Sequence, residues 1–161
     1  MKIAIINYGY GNLHSVNKAF EKANKDFNLN AKIEVTNNPD HINKADKIVL
    51  PGVGSFFDCL KAINSIDGVF ETLQEQVINK KKCFMGICVG MQMLAQEGVE
   101  HGKNQGLGWI KGSVVEINPL DKQIKIPHMG WNEIVILRKH PIFQGISGRS
   151  NAYFVHSFHL I

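Results

Sequence analysis

Hydrophobic positions along the first hundred residues alternate between short unbroken runs and helical spacing. Lys2 to Asn7 reads as a buried strand, and the Gly-Tyr-Gly that follows breaks it. From Asn12 onward, Leu13, Val16, Phe20 and Ala23 recur at helical spacing, with Asn12 placed to cap the helix. "AKIEVT" (31–36) and "DKIVLPG" (46–52) are the next strands, the latter stopped by Pro51-Gly52. Phe56 to Ile63 predicts a helix. Val69, Phe70, Leu73, Val77 and Ile78 predict a longer one. "KCFMGI" (82–87) is a fourth strand, and a helix is expected over Val89 to Gln96.

Strands separated by helices imply βαβ units and a parallel sheet. The pattern then changes. "GWIKGSVVEI" (108–117), "WNEIVIL" (131–137) and "AYFVHSF" (152–158) are strand-like with no helix between them. The expected fold is therefore α/β: an open, mostly parallel sheet flanked by helices, with an added antiparallel β section. No repeat or linker divides the chain, and 161 residues suit one domain with a real core, so 1–161 is expected to be a single domain.

Composition narrows the function classes. Hydrophobic residues make up 44% and charged residues 20%, as in ordinary globular proteins. No signal-peptide pattern follows Met1, and no apolar run is long enough to cross a bilayer, so a cytoplasmic protein without a membrane partner is expected. The net charge of +4 is concentrated at Lys80-Lys81-Lys82. No basic helix or interleaved aromatics accompany that run, which reads as a solvated helix end rather than a nucleic-acid surface. Cys59, Cys83 and Cys88 are odd in number and lack metal-ligand spacing, so neither a disulfide framework nor a metal site is expected. Cys59 and Cys83, in apolar surroundings, read as small core residues.

Two glycine loops carry candidate chemistry. Gly9-Tyr10-Gly11 precedes a helix, but a dinucleotide fingerprint would need glycine where His14 stands and an acid at the end of the second strand, where Thr36-Asn37 stand. That loop reads as a tight turn before a capped helix, and no cofactor is expected. Gly86-Ile87-Cys88-Val89-Gly90 is different. Gly-x-nucleophile-x-Gly between strand and helix has the form of a nucleophile elbow, here with a thiol. Glycines at both flanks remove side chains that would strike neighbouring backbone. Helix N–H groups beside the sulfur would favour thiolate, and the Val89 N–H could stabilise an oxyanion. A buried structural cysteine is the competing reading of that motif alone. Pro51-Gly52-Val53-Gly54 ends the third strand at the same carboxyl edge of the sheet. The two loops together form half of an acyl-transfer site.

On "LPGVGSF" (50–56) and "MGICVGMQML" (85–94) the sequence resembles class I glutamine amidotransferases, with their flavodoxin-like core. "NYGYGNLHSV" (7–16), "GLGWIKGSVV" (106–115), "KIPHMGWNEI" (125–134) and "YFVHSF" (153–158) are similar to segments of the glutaminase subunits of imidazole glycerol phosphate synthases. The resemblance implies a thiolate that attacks the side-chain amide of glutamine. It also implies ammonia delivery to a cyclase (β/α)8-barrel partner in histidine biosynthesis. On that resemblance Cys88 is the nucleophile. Val89 with the Gly52-Val53 backbone forms the oxyanion hole, and Gln92, Ser157 and Phe158 lie near bound glutamine. Asn12, Met129, Trp131 and Tyr153 face the barrel. Two other elbow-cysteine readings, a vitamin B6-type glutaminase and a small α/β thiol hydrolase, lack the "PHMGWNE" segment.

The resemblance also implies a histidine that acts as base and acid, in a His-Pro-Glu segment after "YFVHSF". None of the seven histidines (His14, His41, His101, His128, His140, His156, His159) is followed two positions later by Glu. His128 and His156 read as structural or interface residues rather than substitute bases. The chain is thus expected to lack a C-terminal segment, to turn over glutamine poorly by itself and to expose sheet edges. The alternative function is a non-catalytic truncated or degenerate relative that only binds the cyclase partner.

Overall fold

Ile3, Ala4, Ile5 and Ile6 are all buried, so β1 (Lys2–Ile6) is covered on both faces, as the unbroken apolar run requires. The computed structural model describes residues 1–121 and 123–161. They form two compact units: Met1–Val115 with Leu160–Ile161, and Glu116–His159.

In the first unit β1 is followed by α1 (Leu13–Asp26), β2 (Lys32–Thr36), α2 (Pro39–Asn43), β3 (Lys47–Gly52), α3 (Phe56–Asn64) and α4 (Val69–Gln74). A π-helical turn (Glu75–Asn79), β4 (Cys83–Cys88) and α5 (Val89–Gln92) complete the α/β part. The strands are parallel in the order β2-β1-β3-β4. The chain leaves β1 toward β2 and returns on the other side as β3, so the switch point lies between β1 and β3. In such sheets the crevice at the carboxyl ends of the strands is where ligands bind. Residues 7–12 and 51–55 form its rim.

Packing explains the helices. Asn12 caps α1 by accepting the Ser15 N–H at 3.1 Å, as the sequence predicts. Leu13, Val16 and Phe20 lie on Ile3, Ile5 and Val49. On α3, Phe56, Cys59, Leu60 and Ile63 are buried. Its N-terminus is capped by Ser55, and the Phe56 N–H donates to the Glu100 carboxylate at 2.7 Å.

Several expectations need correction. Cys83 is exposed rather than core, because β4 is an outer strand of the sheet among the described residues. The helix after Cys88 stops at Gln92 instead of running to Gln96. Carbonyls that would have continued it are taken by another segment: Leu107, Gly108 and Ile110 donate to Met93, Ala95 and Leu94. The strand foreseen over 108–117 shrinks to β7 (Ser113–Glu116), because Gly108 (φ 68°) and Gly112 (φ 123°) adopt left-handed turns. The basic run is only partly a solvated helix end. Lys80 caps the π-helical turn, whereas Lys82 Nζ donates to the Asn43 and Ala45 carbonyls at 2.7 and 2.6 Å. Two short strands, β5 (Glu97–Gly98) and β6 (Asn104–Gln105), join β7 in a smaller sheet, where Ser113 and Ile161 also exchange backbone hydrogen bonds.

The second unit is built on an antiparallel ribbon. β8 (His128–Glu133) pairs with β9 (Asn151–His156), Trp131 opposite Tyr153 and Met129 opposite Val155. The strand expected over 131–137 starts earlier and ends earlier, with one further backbone hydrogen bond, from the Ile134 N–H to the Ser150 carbonyl at 2.9 Å, beyond its end. β10 (Phe158–Leu160) leads back to the first unit.

Candidate active site

Cys88 is the last residue of β4, exposed, with φ 54° and ψ −121°. Its partner in the parallel ladder is Gly52, the last residue of β3. The thiol and the Pro51–Gly54 loop therefore share one corner of the sheet's carboxyl edge. Glycine makes this approach possible. A Cβ on Gly86 would stand 2.6 Å from Met91 Cα, and one on Gly52 would stand 2.5 Å from Gly90 N. One on Gly90 would strike the Leu50 carbonyl. The elbow is thus packed main chain against main chain, and each close approach is to backbone that cannot rotate away.

Val89 opens α5 and is buried, and Gln92 closes it, half-buried. At four residues α5 is a single turn, which carries little of a long helix's macrodipole. Any help to the sulfur must come from the local N–H groups themselves.

Beneath the 51–54 loop lie Tyr8, which carries no sequence assignment, and Cys59, which is the core residue its apolar surroundings predict. Tyr8, 4% exposed, donates its hydroxyl to the Pro51 carbonyl at 2.7 Å. Cys59, fully buried, donates its thiol to the Val53 carbonyl at 3.4 Å. Burial, reinforced by the neighbouring Cys59 side chain, drives the Tyr8 phenol well above its ordinary range. Burial also pushes the Cys59 thiol up. Both groups are thus held toward their neutral forms. The one available signal for Tyr8 was its place two residues after the apolar run 3–6.

The other sequence-assigned residues distribute between the units. Asn12 is at the head of α1, on the rim of the crevice. Ser157 accepts the Ile117 N–H at 2.8 Å within the second unit, and Phe158 opens β10. Met129, Trp131 and Tyr153 stand on the ribbon, exposed by 60%, 74% and 56%. Trp131 and Tyr153 meet edge-on with ring centroids 5.6 Å apart. On the same ribbon His128 Nδ1 is 3.0 Å from His156 Nε2, and His156 Nδ1 donates to the Phe158 carbonyl at 3.0 Å. Among the described residues no group of His, Cys, Asp or Glu is arranged to hold a metal.

The family profile described as "Glutamine amidotransferase class-I" matches residues 4–161. The chain belongs to the class I glutamine amidotransferases. Curated relatives of this amidotransferase include the "Imidazole glycerol phosphate synthase subunit HisH" of Agrobacterium fabrum, 49% identical over 99% of the chain and 76% of the relative. The subunit of that name from Rhodopseudomonas palustris is 51% identical with the same coverage. Among solved structures, one described as a glutamine amidotransferase superposes with a TM-score of 0.67 at 16% identity, covering 94% of this chain and 70% of that one. A glutamine amidotransferase from Thermotoga maritima also gives 0.67, at 17% identity, over all of this chain and 62% of its own length. At these identities the structures establish the fold: the class I amidotransferase α/β architecture with its parallel sheet and added antiparallel strands.

Proposed function

We propose that this chain is the glutamine-hydrolysing subunit of an imidazole glycerol phosphate synthase, with Cys88 as its nucleophile. The observation that carries the reading is an exposed thiol at positive φ, on a glycine-flanked elbow, directly beside the Pro51–Gly54 loop. Close identity to subunits bearing that name supports the wider assignment.

In this mechanism the Cys88 sulfur attacks the side-chain carbonyl carbon of glutamine. The negative charge that develops on oxygen is met by backbone N–H groups of Val89 and of the Gly52-Val53 segment. The C–N bond then breaks, and the nitrogen leaves as ammonia after gaining a proton from a general acid. Water cleaves the thioester, giving glutamate and freeing the thiol. Gln92, on the turn of helix that follows Cys88, contacts the bound amino acid. The family match runs across both compact units, which supports one amidotransferase domain over 1–161.

Ammonia passes to a barrel-shaped cyclase partner. Met129, Trp131, Tyr153 and Val155 support this, since they form a contiguous apolar ribbon face, each more than half exposed. Asn12 would face the same partner. No described helix is long and apolar enough to cross a membrane, and a cytoplasmic site of action fits the reading.

The test is selective labelling. A glutamine-like electrophile should modify Cys88 and spare Cys83, which is equally free and exposed on the same strand, and glutamine should protect Cys88. In the complex with the cyclase, Cys88→Ala should abolish glutamate formation. Equal labelling of both thiols without protection refutes the proposal.

A further inference from the structure

We propose that Tyr8 is a positioning residue that, with Cys59, holds the main chain of the Pro51–Gly54 loop in place against Cys88. The inference rests on the function proposed above and concerns residues outside its chemistry.

The geometry is a pair of tethers on alternate peptides. Tyr8 takes the carbonyl of Pro51 and Cys59 takes that of Val53. In a trans peptide the N–H points opposite to the carbonyl. Fixing those two oxygens therefore fixes the direction of the Gly52 and Gly54 N–H groups. β3 lies between β1 and β4, Tyr8 follows β1, and Cys88 ends β4. An oxygen drawn toward the Tyr8 side turns its peptide's N–H away from that side.

The surroundings leave the tether little freedom. A Cβ on Gly52 would lie 2.8 Å from the Tyr8 hydroxyl, so glycine is what lets the phenol approach so closely. The Tyr8 ring stacks with Tyr10 at 6.2 Å between centroids, and a Cβ on Gly54 would lie 3.5 Å from the Tyr10 ring. Gly11 comes equally close to Pro51, where a Cβ would be 3.2 Å away. Tyr8, Tyr10 and Gly11 thus each approach the 51–54 loop. Burial disfavours the phenolate and so keeps the phenol a donor.

Tyr8→Phe removes one buried oxygen and leaves the ring packing in place. Oxyanion stabilisation depends steeply on where its donors lie, whereas exposure of the sulfur does not. The experiment uses the protein in complex with its cyclase. Glutaminase kcat and KM are measured beside the rate at which iodoacetamide alkylates Cys88, a displacement at saturated carbon that develops no oxyanion.

Tyr8→Phe is expected to lower kcat about tenfold or more, with KM and the alkylation rate each within about threefold of wild type. Cys59→Ser, which keeps a donor, should retain kcat better than Cys59→Ala, and this pair reads the same loop if Tyr8→Phe folds poorly. An unchanged kcat in Tyr8→Phe overturns the role. So does a parallel fall in kcat and alkylation, which would mean general loss of the elbow. A wild-type complex that hydrolyses no glutamine overturns the activity reading together with this inference.

Discussion

Gly86→Ala should loosen the elbow from behind without touching the thiol. The added methyl would sit 2.6 Å from Met91 Cα and 2.8 Å from both Gly90 O and Met91 N. Carbon atoms rest at about 3.5–4.0 Å, so the methyl intrudes by roughly 1 Å on three backbone atoms at once. Overpacking of this kind costs about 1–3 kcal/mol, and rigid main chain on every side puts this site at the top of that range. Reduced unfolded-state entropy returns about 0.5 kcal/mol. A net loss of about 2.5 kcal/mol lowers Tm by roughly 5–10 °C in a chain of this size. Thermal melts followed by circular dichroism would read it. Gly148→Ala, where nothing lies within 4 Å, is the control and should melt within about 1 °C of wild type. A Gly86→Ala protein that also melts within about 2 °C of wild type would refute the claim that the elbow is closed by backbone contact.

Alkaline pH should destabilise the fold through the two buried donors. Tyr8 and Cys59 hold their protons more tightly folded than unfolded, because burial disfavours their charged forms. Their stabilisation is complete below the unfolded values, about 8.5 for a thiol and about 10 for a phenol, and is lost as pH rises past them. Tm should therefore fall from roughly pH 9 upward, and Tyr8→Phe should flatten the part of that fall above about pH 10; identical alkaline slopes would contradict it. Asn12→Ala removes the acceptor for the Ser15 N–H and should cost about 1 kcal/mol, a drop of roughly 2–4 °C in Tm, with no loss expected if another group takes over the cap.

Much of the sheet was legible because its signals are local. β1 and β3 are unbroken apolar runs, and Asn12 and Pro51-Gly52 punctuate them, so element type and approximate bounds followed directly. Asn38-Pro39, a cap followed by proline at the first helical position, also announced α2, which the reading overlooked. The errors came where distant chain decided the outcome. α5 ends early because residues 107–110 capture the carbonyls of Met93, Leu94 and Ala95 just beyond it, and nothing within 89–96 encodes that. Cys83 looks like core by its neighbours, yet its strand lies at the margin of the sheet, and strand order cannot be read from a strand's own letters. For the site, the elbow motif was visible because glycine spacing is sequential. Cys59 was legible as core but not as a donor to the loop, and Tyr8 carried no signal of its contact because its partner Pro51 is 43 residues away and only folding brings them together.

The backbone angles at Cys88 fall where side chains are ordinarily unwelcome, and glycine would sit there with ease. Holding a cysteine in such a conformation costs on the order of 1–3 kcal/mol. Random drift toward greater robustness should therefore favour erasing the sulfur. Its persistence in a lineage would mark continuing demand for its reactivity, and a chain freed from that demand would grow sturdier by discarding it.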